Sequence, residues 1–74
     1  MAVQKLLRMK NNLRVERAIL RLTQDELARR IGVSRQTINA MEAGRYVPST
    51  VLALKLAAVF DKAVEQLFML DSND

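Results

Sequence analysis

The sequence of 74 residues contains no cysteine and no histidine. Without cysteine the chain can form neither a disulfide framework nor a thiolate zinc site, and it has no thiol nucleophile. Without histidine it lacks the most common general base and the most common metal ligand. We therefore expect no enzymatic activity, no metal site, no cofactor and no small-molecule substrate.

Long apolar segments are also lacking. No run approaches the roughly 18 apolar residues that a transmembrane helix needs, and residues 1–8 lack the apolar core of a secretion signal. There are only two glycines and one proline, and 50% of the residues are apolar. This composition is typical of one small folded domain. We expect it to be cytoplasmic and to have no membrane partner.

Basic side chains outnumber acidic ones by twelve to eight, which gives a net charge of +4. The excess lies in residues 1–45, which hold ten basic and four acidic side chains, whereas residues 46–74 hold two basic and four acidic ones. A basic half is compatible with a polyanionic partner and equally with an ordinary solvated surface. Charge alone does not decide between these interpretations.

The residues that are abundant favour helices, since leucine, alanine, arginine and glutamate are frequent and aromatic residues make up only 4%. In the first predicted helix, Leu13, Arg17 and Leu20 share one face. Residues 68–70 are expected to be extended and to pair with residues 10–14, within one chain or across a dimer. Apolar spacing and helix-end signals together predict five helices, over residues 12–22, 24–31, 35–43, 50–60 and 63–67.

Local signals mark where the central helices begin and end. Thr23 followed three residues later by Glu26 is the capping-box pattern, and Ser34 is the expected N-cap of the third helix. Gly32 and Gly44 follow the second and third helices, where a positive φ ends a helix at low cost. Two short helices separated by a three-residue turn are therefore predicted.

Residues 23–45 also have the residue types that two helices joined by a tight turn require at several separate positions. Ala28 is small where two helices would cross, Gly32 occupies the turn, Val33 plugs the turn and Ile38 faces inward. This stretch resembles the helix-turn-helix of the phage Cro and repressor-type family, the XRE family, and the resemblance extends over residues 9–70. It implies an all-α, five-helix lambda-repressor-like DNA-binding domain, to which short terminal β-strands can be added.

The resemblance implies that the third helix, residues 35–43, enters the major groove of double-stranded DNA. Arginine suits guanine O6 and N7, and glutamine suits adenine N6 and N7. Arg35 has the alternative role of a phosphate clamp, and Asn39 could contact either a phosphate or a base edge. Ala40 offers only van der Waals contact, which would narrow the readout. The expected base-reading residues are Arg35, Gln36, Thr37, Asn39 and Ala40.

Other positions match the family's contacts to the DNA backbone. Gln24 opens the second helix, whose N-terminal end favours an anion. Arg45 and Tyr46 follow the third helix and resemble a second group that binds a DNA phosphate. The expected phosphate-binding residues are Gln24, Ser34, Arg45 and Tyr46.

Arg17 and Glu42 match a pair that forms a buried ion pair between the first and third helices of this family. The alternative is a surface pair that contributes only a few tenths of a kcal/mol. If the pair is buried, its role is structural, and loss of one partner would cost about 3–5 kcal/mol.

The fourth helix is apolar on nearly all sides, and Thr50 and Val51 depart from the family pattern at its start. A helix packed on one side only would carry a polar stripe, so the second apolar side indicates a homodimer. Ile19 and the segment of Phe68, Met69 and Leu70 are further expected apolar surface. Small domains also expose some apolar surface without any partner.

The sequence therefore predicts a sequence-specific DNA-binding transcriptional regulator, with repression as the expected mode and a nucleoid-associated location. One alternative is an antitoxin or controller that binds both DNA and a protein partner. Another is a protein–protein interaction module. Salt-dependent binding to duplex DNA would separate the first two functions from the third. Residues 9–70 are the expected domain, with an N-terminal extension at 1–8 and an acidic tail at 71–74.

Overall fold

A computed structural model of the chain describes residues 9–70. The predicted extension at 1–8 and the predicted tail at 71–74 lie outside the described residues. None of the helices in residues 9–70 is long and apolar enough to cross a membrane. Five helices and two strands follow one another as β1 (Met9–Asn11), α1 (Leu13–Ile19), α2 (Gln24–Ile31), α3 (Arg35–Glu42), α4 (Thr50–Phe60), α5 (Val64–Leu67) and β2 (Phe68–Leu70). The predicted fold class is confirmed.

The ends of α2 follow the predicted local chemistry. The Thr23 hydroxyl accepts a hydrogen bond from the Glu26 backbone N–H at 3.0 Å, and the Glu26 carboxylate accepts one from the Thr23 N–H at 2.8 Å. These two bonds complete the capping box and satisfy two donors that a helix start would otherwise leave free. At the other end Gly32 has a φ of 77°, in the left-handed region that favours glycine.

The helix α1 is shorter than the sequence predicted. It ends at Ile19, and Arg21 adopts a left-handed φ of 57°, which turns the chain toward α2. As a result Leu22, at 8% exposure, enters the core, while Leu20 remains 46% exposed. Leu20, which the sequence placed on one face with Leu13 and Arg17, does not continue that face, because α1 ends before it.

The two strands pair antiparallel within the one chain. Met9 lies opposite Leu70, Lys10 opposite Met69 and Asn11 opposite Phe68. The segment that pairs with β2 is residues 9–11 and not the predicted 10–14, because the chain becomes helical at Leu13. This pairing brings the two ends of the described domain together.

All five helices and β2 contribute side chains to one core. Ala28 and Ile38 are buried, as predicted for the motif, and Leu27, Ile31 and Met41 are buried with them. Their full set of buried partners consists of Leu13, Leu22, Ala53, Leu56, Phe60, Leu67 and Phe68.

Phe68 was expected to be spare apolar surface, and this expectation is wrong. The side chain is only 8% exposed, because β2 lies against the core and directs Phe68 into it. Val59 is also partly buried against the core. Ile19, in contrast, is 65% exposed on α1, as predicted.

Candidate nucleic-acid interface

The tight turn between α2 and α3 fixes how the third helix is presented. The backbone N–H groups of Gly32 and Val33 both donate to the Ala28 carbonyl, at 2.9 and 3.0 Å. Val33 is partly buried against the core, and Ala28 is 1% exposed. Because Ile38 and Met41 anchor one face of α3 in the core, the opposite face of α3 is directed to solvent.

Side chains from that outer face converge with the start of α2 and the loop after α3. They line a shallow groove of about 450 Å³. Two of the lining side chains are arginines, and none is acidic, so the groove carries positive charge. Its lining consists of Gln24, Arg35, Gln36, Asn39, Ala40 and Arg45. All six belong to the set of nine residues that the sequence singled out for contact with DNA.

The other three residues of that set lie elsewhere. The Ser34 hydroxyl accepts a hydrogen bond from the Thr37 backbone N–H at 3.1 Å and lies 3.0 Å from the Thr37 hydroxyl. The Ser34 hydroxyl thus caps α3, and the Thr37 hydroxyl is engaged with it. Tyr46 is 41% exposed in the loop after α3, outside the groove lining.

One hydrogen bond within the groove orients two of its side chains. The Arg45 guanidinium donates to the Asn39 Oδ1 atom at 3.4 Å. With that oxygen engaged, the amide N–H groups of Asn39 remain as donors for another acceptor. Arg35 and Gln36 are exposed in the first turn of α3, a turn that contains no acidic residue.

Arg17 and Glu42 form an ion pair beneath the interface. The Glu42 side chain is fully buried, and that of Arg17 is 18% exposed. The Arg17 Nε atom lies 2.7 Å from Oε2 of Glu42, and Nη2 lies 3.1 Å from Oε1, a bidentate geometry. Arg17 Nη1 also donates to the Leu22 carbonyl at 3.0 Å. The structure therefore places this pair in the interior and not on the surface.

The environment of Glu42 acts on its pKa in two directions. Burial raises the pKa, but hydrogen bonds from Arg17 and Gln24 and the charges of Arg17 and Arg14 lower it, and the net result lies below the ordinary value. Hydrogen bonding to Glu42 in turn raises the pKa of Arg17. Both groups are therefore charged at neutral pH.

Two residues that position α3 were missed in the sequence. Asn11 donates from Nδ2 to the Met41 carbonyl at 2.9 Å and accepts from the Leu13 N–H at 3.1 Å, so it joins the end of α3 to the start of α1. Lys55 on α4 donates to the Ile31 carbonyl at 3.4 Å, at the end of α2. Neither contact follows a helical or strand period, so periodicity could not reveal it.

The fold and the groove together define a helix-turn-helix module, in which an exposed second helix presents polar side chains. A family model described as helix-turn-helix matches residues 13–67. The chain is 47% identical over 66 residues to an HTH-type transcriptional regulator of Methanocaldococcus jannaschii, a match that covers 89% of this chain and 100% of the relative. It is 41% identical over 66 residues to an HTH-type transcriptional regulator of Bacillus subtilis, with coverage of 89% and 100%.

Solved structures give the same result. The chain is similar to a crystal structure of a protein from Bacteroides fragilis that is described as DNA-binding. The TM-score is 0.72 and the identity 28%, and the match covers 81% of this chain and 97% of that one. The SOS-response transcriptional repressor LexA from Eubacterium rectale is similar with a TM-score of 0.70 and 34% identity, over 74% of this chain and 58% of that one. The chain belongs to the helix-turn-helix family of DNA-binding transcriptional regulators. This family consists of regulators and not of enzymes. It confirms the predicted family and the prediction that the protein is not an enzyme.

Proposed function

We propose that the protein represses transcription by binding a specific sequence of double-stranded DNA with the outer face of α3. The observation that carries this proposal is the groove, whose six lining side chains comprise two arginines, four polar or small side chains and no carboxylate. A protein that occupies promoter DNA blocks the polymerase, and the similar LexA structure is that of a transcriptional repressor. Its place of action is then the chromosome in the cytoplasm.

We assign base reading to the side chains of α3 and backbone binding to the residues around them. Arg35 and Gln36 have the reach and the donor pattern for guanine and adenine edges in the major groove. Asn39 presents amide donors and Ala40 gives close approach, while Thr37 offers its methyl group. We assign phosphate contacts to Gln24 and Arg45 in the groove, to Tyr46 in the loop after α3 and to Ser34 at the start of α3.

Selection from a pool of random duplexes, followed by footprinting of the enriched sequence, tests this function. We expect one sequence to be enriched, with protection on one face of the duplex and binding that weakens steeply as salt increases. Recovery of random sequences only, with no footprint, would refute sequence-specific recognition. Transcription from a promoter that carries the selected sequence should fall when the protein is added, and a rise would refute repression.

Replacing Arg45 by alanine should weaken binding to every duplex and reduce the slope of log K against log salt concentration by about one. Arg45 lines the groove and brings one positive charge to it. Arg29 is the matched control, because it does not line the groove and its guanidinium lies 2.8 Å from the Asp25 carboxylate in an exposed ion pair. Fluorescence anisotropy at several salt concentrations measures both slopes. Equal slopes for the wild type and the Arg45→Ala variant would exclude a phosphate contact by Arg45.

We also propose that the protein binds DNA as a homodimer. Four aliphatic side chains near the start of α4 and at the end of β2 are exposed, namely Val47 (63%), Val51 (62%), Leu54 (57%) and Leu70 (69%). This patch is smaller than the 20–30 residues that each side of a stable interface usually contributes. A weak dimer follows, formed chiefly on DNA, where two half-sites one helical turn apart hold both copies together.

Replacing Leu54 by glutamate should abolish the cooperative binding of two copies to the operator without altering the groove. We expect the Leu54→Glu variant to bind a single half-site as well as the wild type but to bind the full operator at least tenfold more weakly. Ile19→Glu is the control, since Ile19 is 65% exposed on α1 and does not belong to the patch. Sedimentation equilibrium at tens of micromolar reports the free dimer. Unchanged operator affinity for Leu54→Glu would refute a dimer through this surface.

A further inference from the structure

The Arg17–Glu42 ion pair is linked by a hydrogen bond to the interface above it. Gln24, the first residue of α2, donates from Nε2 to Oε1 of Glu42 at 3.0 Å. The same Gln24 side chain lines the groove together with Arg35 and Arg45. One polar side chain therefore joins the buried pair to the surface assigned to DNA.

The chemistry of Glu42 determines which way the Gln24 amide faces. An ionised carboxylate accepts hydrogen bonds and cannot donate one, so the nitrogen of the amide and not its oxygen must face Glu42. The pKa of Glu42 lies below its ordinary value, so the carboxylate remains ionised at neutral pH. The orientation of the amide is thus fixed, and one of its two N–H groups is left for another acceptor.

Glu42 is itself held in place from several directions. Both of its oxygens accept from Arg17, and Arg14 Nε lies 3.6 Å from Oε1. Because the carboxylate is fully buried and bound from α1, it has little freedom to follow a moving glutamine. A rigid acceptor below the groove restricts Gln24 to one arrangement before DNA arrives, which reduces the entropy lost on binding.

We propose that Glu42 is a positioning residue for DNA binding, which orients the Gln24 amide so that its second N–H meets a backbone phosphate. This inference rests on the proposed DNA-binding function. It assigns the buried ion pair a part in affinity in addition to its part in stability. It predicts that the contribution of Gln24 to binding depends on residues that never touch DNA.

A thermodynamic cycle tests the coupling. Replacing both charged partners by apolar residues, as Arg17→Met with Glu42→Leu, leaves no stranded charge, and such exchanges are often neutral or stabilising. We expect Gln24→Ala to weaken binding to duplex DNA about tenfold in the wild-type background, the effect of one hydrogen bond to a charged group. In the Arg17→Met, Glu42→Leu background the same change should weaken binding less than about twofold, since the amide is no longer oriented. An equal loss in both backgrounds would overturn the proposal.

Nuclear magnetic resonance of the free wild-type protein provides a second test that needs neither DNA nor the apolar double variant. The side-chain amide of Gln24 should be markedly more ordered than that of Gln36, which is exposed on the same surface and serves as the internal control. Equal mobility of the two amides would overturn the positioning role even if the protein binds DNA. If the amide is ordered but the wild type binds no duplex, the proposed function fails and the geometry stands, so the two failures are distinguishable.

Discussion

Replacing Glu42 by alanine is expected to lower the free energy of unfolding by about 3–5 kcal/mol, the loss typical of one partner removed from a buried ion pair. The change leaves the Arg17 guanidinium, which is only 18% exposed, without its bidentate acceptor. It also removes the acceptor of the Gln24 amide. Since a domain of this size is marginally stable, the variant should be largely unfolded at physiological temperature.

Urea denaturation followed by circular dichroism measures this loss. Glu65→Ala is the control, because Glu65 is an exposed carboxylate on α5 and its removal should change stability by less than about 0.5 kcal/mol. A loss below about 1 kcal/mol for Glu42→Ala would place the pair among surface ion pairs and contradict its burial.

The same experiment carried out at low pH checks the electrostatic origin of the effect. The pKa of Glu42 in the folded protein lies below its ordinary value of 4.5, so the charged form is the one that the fold stabilises. Its contribution is therefore complete above the unfolded pKa and disappears as the pH falls through the folded pKa. The difference in stability between the wild type and Glu42→Ala should narrow below about pH 4. A constant difference down to pH 2 would point to packing and not to charge.

The second large effect concerns recognition. Arg35→Ala and Gln36→Ala are each expected to weaken binding to the selected operator by about 1–3 kcal/mol, the discrimination that a good bidentate base contact provides. Both side chains are exposed in the first turn of α3 and line the groove, so their truncation leaves the core intact. Helix content measured by circular dichroism should be unchanged. Arg30→Ala, on the exposed face of α2, is the control for loss of one positive charge.

Binding to the operator must be compared with binding to a random duplex of equal length. A base-reading side chain contributes little to the second, so the ratio of the two affinities should fall. If either variant loses equal affinity for both duplexes, that side chain binds phosphate and does not read the sequence. For Arg35 this outcome would show that the side chain binds a phosphate, the alternative role given above, and does not read a base.

Local chemistry made much of the fold predictable. The start of α2 follows from Thr23 and Glu26, and its end follows from Gly32, because caps and left-handed turns depend on neighbouring residues alone. The end of α1 was not predictable in this way. Arg21 takes a left-handed φ although arginine has no preference for it, so tertiary packing of Leu22 determines the turn.

In the candidate site, too, the features set by one helix were predictable and the contacts between helices were not. The exposed residues of α3 were predictable because the motif fixes which face of the helix is buried. The hydrogen bond from Gln24 to Glu42 joins residues 18 positions apart, and that from Asn11 to Met41 joins residues 30 positions apart. Such contacts depend on how the helices pack, and no pattern within a single helix encodes them.

The pairing of Met9 with Leu70 has a consequence for how this domain can be joined to others. The start of β1 and the end of β2 lie side by side at one end of the small sheet, so a module fused to either would begin from the same place. An added module would therefore occupy the same region of space whichever end carried it, and the choice of end would matter little to the groove. The LexA chain that this domain resembles has further chain attached, since the match covers only 58% of it.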